Sequence, residues 1–266
     1  MLITLLTDFG TADYFVGAMK GVILSLNPQA RIVDITHEIP SQDIQAGAFT
    51  LLASYKSFSP QTIHLAVVDP GVGSERRPVL VTAGGQFFVG PDNGLFSYIY
   101  ERERDARVFH LTRESYFLPH VSSTFHGRDL FAPVAAALSN GATPAELGEE
   151  LTDYVRLAPL APGRRADDTI EASIIHIDRF GNCITNLTRE DLTEEMITRG
   201  AKLVVNGREI SSFRNFFAEE ESSRAELFAI WGSAGFLEIA AFMDSAAKLL
   251  EAQRGQLVLV HTSESV

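Results

Sequence analysis

The sequence predicts an α/β protein in two unequal parts: an N-terminal, mostly parallel sheet flanked by helices, and a C-terminal small β-barrel. Three observations predict it. Through residue 156, apolar runs of strand length alternate with helical patterns, the signature of a parallel sheet covered by helices. From residue 169 to 266 the apolar runs are shorter and are punctuated by turn residues, as in a small barrel or sandwich. Between them, Leu157–Asp168 (LAPLAPGRRADD) holds two prolines, a glycine and four charges, which reads as a linker.

Each element has its own local reason. Leu2–Thr7 reads as a buried strand and Val16–Leu26 as a helix, followed by a strand over Arg31–Ile35, a helix over Asp43–Tyr55 and a strand over Thr62–Val68. Val79–Ala83 and Gln86–Val89 form a hairpin over Gly84-Gly85, which supplies the positive φ angles a tight turn requires. Leu130–Leu138 and Pro144–Leu151 read as helices, with Thr143 as N-cap and Pro144 in the first turn. In the second part, strands are expected over Ile170–Ile177, Ile184–Leu187, Lys202–Val205, Phe228–Trp231, Phe236–Ala240 and Gln256–His261. Asn206-Gly207 is a strong hairpin signal.

Composition narrows the function. The 266 residues are 45% hydrophobic, enough for one large core or two ordinary ones. A net charge of −12 argues against nucleic acid as partner, because phosphate binding needs clustered Lys and Arg. The single cysteine, Cys183, excludes an intrachain disulfide and reads as a small buried residue. The start MLITLLTDFG carries no basic leader or cleavage signal, and no run reaches the roughly 18 apolar residues of a membrane span. A cytoplasmic protein without a membrane partner is therefore expected.

Several short patterns fail on context. Gly71-Val72-Gly73 follows a strand, but Arg76 stands where a dinucleotide fingerprint needs its third glycine, and the next element reads as a strand rather than a helix. Asp8-Phe9-Gly10 and His126-Gly127-Arg128-Asp129 share letters with kinase motifs, in reversed chain order and without the Gly-rich loop and strand lysine. The seven histidines lack zinc-site spacing, so no metal is expected.

Four segments place polar residues beyond strand ends, where a parallel sheet presents its ligands. In Thr7-Asp8-Phe9-Gly10-Thr11-Ala12-Asp13-Tyr14, Asp8 can accept both hydroxyls of a ribose; the alternative is a helix N-cap, for which Asp13 is better placed. In the run from Val67 to Arg77, Asp69 and Arg76 flank a tight glycine loop and can meet face to face, either in chemistry or as a loop-stabilising ion pair. His126, in Ser123–Asp129, can shuttle protons or orient water, or be a satisfied structural histidine. In His176–Asn182, Phe180 can stack on an adenine while Asn182 matches its donor–acceptor edge; the same residues also suit a β-turn.

Taken together, TDFGTADYFVGAMKG, HEIPSQDIQAGA, VVDPGVGSERRP, FVGPDNGL, TFHGRDLFAP, HIDRFGNCITN and GSAGFLEIA, in this order, resemble the SAM hydroxide adenosyltransferases, relatives of the S-adenosyl-L-methionine (SAM)-dependent chlorinase and fluorinase. The likeness spans essentially the whole chain. It implies an N-terminal α/β domain joined to a C-terminal β-barrel, and a homotrimer whose site lies between the N-terminal domain of one subunit and the C-terminal domain of its neighbour. It implies hydrolysis of SAM to adenosine and L-methionine with no cofactor. By position, Asp8 would hold the ribose hydroxyls, and Phe180 and Asn182 the adenine, with backbone help near Met243. Ser233, Asp178 and Glu238 would anchor the methionine end. Asp69, Arg76 and His126 match the triad of the water-using branch. Two features depart from the fluorinase pattern: Ser233-Ala234 replaces Ser-Arg, and the segment from Asp178 to Asn182 is one residue shorter.

The resemblance also frames the choice of nucleophile. The sulfonium already makes C5′ electrophilic, so the protein must align and modestly activate a nucleophile opposite sulfur. The halogenases carry a tyrosine where this chain has Asp69, and the fluorinase a serine where it has Gly127. A carboxylate about 4 Å from a halide costs roughly 4 kcal/mol at an effective dielectric near 20, or about a thousandfold in binding. Asp69 and His126 are expected to accept a water's hydrogen bonds and aim its lone pair at C5′, with Arg76 keeping Asp69 ionised. The alternatives are a SAM-dependent halogenase, a SAM- or adenosine-binding protein without turnover, and a metal-dependent hydrolase using Asp8, Asp69 and His126.

Overall fold

The computed structural model describes residues 1–217 and 223–262. The chain divides into two compact units, Met1–Pro159 and Leu160–Val266.

The first unit is built on seven strands: β1 (Leu2–Thr7), β2 (Arg31–Thr36), β3 (Ile63–Val67), β4 (Pro78–Ala83), β5 (Gln86–Pro91), β6 (Arg107–Leu111) and β7 (Gly148–Leu151). Their order across the sheet is β2-β1-β3-β5-β4-β6-β7. The β2, β1, β3 and β5 strands run parallel, and β4, β6 and β7 continue the sheet through antiparallel pairs. Helix α1 (Phe15–Leu26) joins β1 to β2, and α2 (Ile44–Ser54) joins β2 to β3. The remaining helices are α3 (Ser97–Arg102), α4 (Ala132–Ser139) and α5 (Pro144–Leu147). A π-helical turn, Gly127–Phe131, leads into α4.

The central strands are apolar on both faces because helices cover both, as parallel sheets require. One core layer joins Ile3, Leu5, Leu65 and Val67 of the sheet to Met19 and Ile23 of α1 and Val134 and Leu138 of α4. Each such side chain contributes about 1.5–3 kcal/mol on full burial. After β1 the chain goes to β2 on one side, then returns to β3 on the other. The gap between β1 and β3 is thus the topological switch point, the crevice where open α/β sheets bind ligands.

One expectation for this unit changes, and two elements are added. The helix read over Pro144–Leu151 stops at Leu147, closed at its start by a Thr143/Glu146 capping box. Gly148 then lies so close to the His110 carbonyl that no Cβ would fit, and the chain pairs with β6 as β7. The α3 and β6 elements carry no sequence signal of their own. The first is a six-residue helix buried from Ser97 to Tyr100, hence without an amphipathic period, and the second is only five residues long.

The second unit contains β8 (Gly163–Arg164), β9 (Ile170–Ile177), β10 (Cys183–Thr185), β11 (Lys202–Val205), β12 (Arg208–Ile210), β13 (Phe213–Arg214), β14 (Leu227–Trp231), β15 (Leu237–Ala241) and β16 (Leu257–His261). They form one sheet in the order β12-β11-β16-β9-β10-β15-β14-β13, with β8 paired to β9. All pairs are antiparallel except β13 with β14. The sheet curls so that β12 approaches β14, giving a half-barrel around Ile170, Ile174, Leu203, Ile239 and Val258. Two short helices, α6 (Glu194–Thr198) and α7 (Ala246–Leu249), complete it. Asn206 and Gly207, at φ 48° and 75°, make the tight β11–β12 turn that their sequence predicts. Part of the segment read as a linker is ordered as β8. Cys183 is buried, and burial, with the nearby Asp178 charge, pushes its thiol up to about 11. No helix among the described residues is long and apolar enough to cross a membrane.

Candidate active site

Asp8 and Asp69 leave the C-terminal ends of two adjacent parallel strands. Thr7 pairs with Val67 across β1 and β3, so the carboxylates follow on either side of the switch point. Asp8 Oδ2 accepts a hydrogen bond from the Gln42 N–H at 2.8 Å. The loop that carries it is tied down by Gly10 N–H donating to the His37 carbonyl at 2.8 Å and by a 2.9 Å bond between Thr7 Oγ1 and His37 Nδ1.

Asp69, Arg76 and His126, which the sequence separates by up to 57 positions, come together. Arg76 Nε lies 3.0 Å from both Asp69 oxygens, and its Nη2 lies 2.5 Å from Oδ2. The same Nη2 donates to His126 Nδ1 at 2.7 Å. Asp69 and Arg76 side chains are only 4% and 8% exposed, so this pair is shielded from solvent screening. The Arg76 guanidinium also lies 5.3 Å from the centre of the Phe131 ring, and its Nη1 is buried without a hydrogen-bond partner.

The third member is delivered by close loop packing. Gly73, at φ +79°, lets the Asp69–Arg76 loop approach the Ser123 backbone, where a Cβ would stand 2.2 Å from the carbonyl oxygen. Asp129 organises the approaching segment. Its Oδ2 accepts from Ser122 N–H at 2.9 Å and its Oδ1 from Arg128 Nε at 2.6 Å. Burial alone would raise the Asp129 carboxyl, but these bonds outweigh it and hold the group below its ordinary range. Gly127 is enclosed by Met19, Phe125 and Phe9, which bring the Asp8 loop beside the histidine segment.

This arrangement alters the expected hydrogen-bond roles. A guanidinium only donates, so His126 Nδ1 must present its lone pair to Arg76, and the neutral ring carries its proton on Nε2. The His126 pKa is lowered, first by burial and then by the Arg76 charge, which keeps the ring neutral. Neutral His126 therefore offers a donor, not an acceptor, to a water. Acceptance falls to Asp69, whose Oδ1 takes one hydrogen bond from Arg76 and retains a second lone pair. The Asp69–Arg76 pair carries no net charge, so the halide repulsion expected of a bare carboxylate is largely cancelled.

The second unit gathers its own set. Phe180 and Met243, 78% and 76% exposed, line a cavity of about 530 Å³ with Asn182, Phe217, Ala241 and Asp244. Exposed apolar side chains around one buried amide suit a flat heteroaromatic ring. Asp178 fixes that amide. Its Oδ2 accepts from Asn182 Nδ2 at 2.9 Å, and its Oδ1 accepts from the N–H groups of Phe180 and Asn182, each at 2.9 Å. Because a carboxylate only accepts, Asn182 must turn its nitrogen to Asp178, leaving Oδ1 and a second N–H for a base. Gly181, at φ +86°, packs on Ser245 with no room for a Cβ, holding the turn against the start of α7.

Glu238 on β15 lies over Gly232, where a Cβ would meet its carboxyl. Its pKa is raised, first by burial and then by the Asp178 charge. Two neighbouring carboxyls that repel each other form a site that favours a cation. Ser233 is exposed on the β14–β15 turn, directly after Gly232.

Phe217 and Asp244 line the same cavity and went unpredicted, although the adjacent Phe216-Phe217 in a polar stretch is a readable signal for an exposed aromatic. Gln42, at φ +65°, was also missed, since only the fold brings its N–H to Asp8.

Comparison with known proteins shows the family. The SAM hydroxide adenosyltransferase N-terminal domain matches residues 3–148 and the C-terminal domain residues 172–259. An (R)-S-adenosyl-L-methionine hydrolase of Methanocaldococcus jannaschii is 41% identical, with 94% of this chain and 91% of that protein covered. One of Thermus thermophilus is 36% identical over 95% of this chain and 96% of its own. The crystal structure of an uncharacterized conserved protein from Thermotoga maritima superposes with a TM-score of 0.89 at 31% identity, covering 98% of this chain and 99% of that one. Three fluorinases match more distantly, at 21–26% identity. This chain belongs to the SAM hydroxide adenosyltransferase family.

Proposed function

We infer that this protein hydrolyses SAM to adenosine and L-methionine by in-line attack of water on C5′. The observation that carries the reading is the hydrogen-bonded Asp69–Arg76–His126 constellation beside the Asp8 loop. The relatives named as hydrolases at 36–41% identity support it.

Each group has a definable task. Asp8 accepts the ribose hydroxyls with the lone pairs that Gln42 leaves open. Phe180, Phe217 and Met243 enclose the adenine, and Asn182 reads its edge. Asp178 and Glu238 attract the substrate's ammonium group, and Ser233 meets the methionine carboxylate. A water held by Asp69 as acceptor and His126 Nε2–H as donor directs its free lone pair at C5′. As the C5′–O bond forms, the C5′–S electron pair leaves with methionine, and the water's proton moves toward Asp69. Arg76 stays charged throughout and fixes both partners. The reading needs no cofactor, and no cluster of three or more His, Cys, Asp or Glu among the described residues is arranged to hold a metal.

The relatives' names specify the (R) epimer at sulfur. Opposite epimers place the methyl group on different sides of the C5′–S axis, so an enclosed site accepts one better. We extend the (R) preference to this protein.

The adenine half and the water-orienting half lie on different units. We propose a homotrimer in which one subunit's Asp69–Arg76–His126 faces its neighbour's Phe180–Asn182, in a soluble cytoplasmic protein. Mixed trimers refolded from Asp8→Ala and Asn182→Ala chains would then regain activity above either parent.

The deciding experiment is incubation with each SAM epimer in oxygen-18 water, with and without EDTA and chloride. Labelled 5′-hydroxyl adenosine from (R)-SAM, insensitive to both additions, is expected. Dominant 5′-chloro-5′-deoxyadenosine would establish a halogenase instead, binding without turnover a SAM sensor, and EDTA-abolished activity a metal-dependent hydrolase.

A further inference from the structure

The loop that carries Asp69 and Arg76 spans an unusual gap in the sheet. It leaves β3 at Val68 and enters β4 at Pro78, but β5 lies between those strands. The loop must therefore arch over the C-terminal end of β5. Its internal bonds are local: Val72 N–H to the Asp69 carbonyl at 3.2 Å, and Ser74 N–H and Oγ to the Gly71 carbonyl at 3.1 and 2.7 Å. None of these backbone and serine bonds joins one foot of the arch to the other; within the loop that link is the Asp69–Arg76 ion pair itself.

The two residues that follow β5 add a second link from outside the loop. Asn93 Nδ2 donates to the Val68 carbonyl at 2.8 Å, on the residue directly before Asp69. Asn93 Oδ1 is held in turn by the Leu95 N–H at 3.2 Å. Asp92 grips the other foot, directly after Arg76. Its N–H donates to the Arg77 carbonyl at 2.9 Å, and its Oδ2 accepts from Arg77 Nε at 3.0 Å and Nη2 at 2.7 Å. The Asp92 side chain is 2% exposed, and its Oδ1 accepts from the Val155 N–H at 2.9 Å, so it cannot swing away.

We propose that Asp92 and Asn93 are positioning residues for hydrolysis. By fixing the two feet of the arch relative to each other, they hold Arg76 on Asp69 and on His126 Nδ1. This assigns a task to the Asp92-Asn93 pair, whose hydrogen bonds run to Val68, Arg77, Leu95 and Val155. The proposal rests on the hydrolase reading for its kinetic consequence, but its structural consequence is independent of substrate. If the feet shift by even a few tenths of an ångström, the 2.7 Å bond from Arg76 to His126 is the one that lengthens, because Asp69 and Arg76 share the loop and His126 does not. The His126 tautomer is then no longer fixed.

The test uses the full-length protein and the near-isosteric Asn93→Asp. The change removes the donor to Val68 while keeping the acceptor for Leu95. Nitrogen-15 NMR of histidine-labelled protein, with the His126 signal assigned through His126→Gln, reads the tautomer. Asn93→Asp is expected to convert a single Nε2–H form into a mixture. It should lower kcat about tenfold or more, leaving KM and adenosine Kd within about twofold. Asn27→Asp, which breaks the 2.8 Å bond between Asn27 and Ser139 in a remote part of the same unit, controls for general destabilisation. It should lower Tm without changing the His126 signal. If Asn93→Asp does not fold, Asp92→Asn takes its place, weakening the grip on Arg77. An unchanged His126 signal and unchanged kcat in a folded variant would overturn the proposal. So would equal losses of kcat and adenosine affinity with the His126 signal intact. If the unsubstituted protein releases no adenosine from SAM, the hydrolase reading fails, and the NMR comparison alone decides whether the clamp exists.

Discussion

Gly73 stands so close to Ser123 that a Cβ on it would lie 2.2 Å from the Ser123 carbonyl oxygen, and its φ of +79° would strain any other residue. This approach brings His126 to the Asp69–Arg76 pair. Gly73→Ala should therefore destabilise the protein by about 1–3 kcal/mol from backbone strain alone, with the collision adding to it. Activity should fall further than stability accounts for. Gly10→Ala, at φ +66° but with open space around the added methyl, provides the comparison. Thermal melts and kcat on both variants check this, and equal effects on kcat would remove the special role of the Ser123 approach.

The fixed tautomer has a pH signature. Protonating His126 turns Nδ1 into a donor facing the Arg76 donor, which breaks the constellation. Since burial and Arg76 depress its pKa, kcat should hold steady above the ordinary histidine value of 6.5 and fall only below it. The sign for stability is the same. The unfolded chain binds the proton more readily, so the contribution of neutral His126 is complete above 6.5 and is lost as pH falls through the lower, folded-state value. A pH–rate profile whose acid limb has its midpoint above 6.5 would contradict the assignment.

His126→Gln keeps a donor near the Nε2 position, while His126→Ala removes it. If donation to the nucleophilic water is the task, the glutamine variant should retain more kcat than the alanine variant. The alanine variant should lose about a hundredfold or more. Adenosine affinity, measured by calorimetry, should change little in either.

Asp8 predicts the reverse split. Asp8→Ala should weaken adenosine binding by roughly 1.5–3 kcal/mol for each charged hydrogen bond lost. Its preference for adenosine over 2′-deoxyadenosine should largely vanish. A variant that keeps this preference would place the ribose hydroxyls elsewhere.

Base recognition depends on Asp178 through Asn182. Replacing the carboxylate in Asp178→Asn gives Asn182 Nδ2 a neighbour that can donate as well as accept, so the amide is free to turn over. The variant should discriminate less between adenosine and inosine, whose base edges differ in donor and acceptor. Competition binding with the two nucleosides measures this directly.

The sequence by itself determined much of this protein. Alternating strand and helix patterns specified the parallel sheet, and Asn206-Gly207 specified a hairpin, because those signals are local and depend on periodicity or on φ alone. Ordered motifs nominated Asp8, Asp69, Arg76, His126, Phe180 and Asn182. Tertiary structure decided what those residues face. The β6 strand and α3 have no period of their own and exist through burial in the sheet and its covering layer. The helix expected to run to Leu151 ends early because β6 offers Gly148–Leu151 a paired edge. His126 looked like an acceptor for water until Arg76 was found on its Nδ1, since which ring nitrogen holds the proton is set by a partner 50 residues away. Asn93 and Val68, 25 residues apart, meet only because β5 lies between β3 and β4. A chain encodes such partners only through the whole fold, because a hydrogen bond is specified by position in space while a motif is specified by order along the backbone.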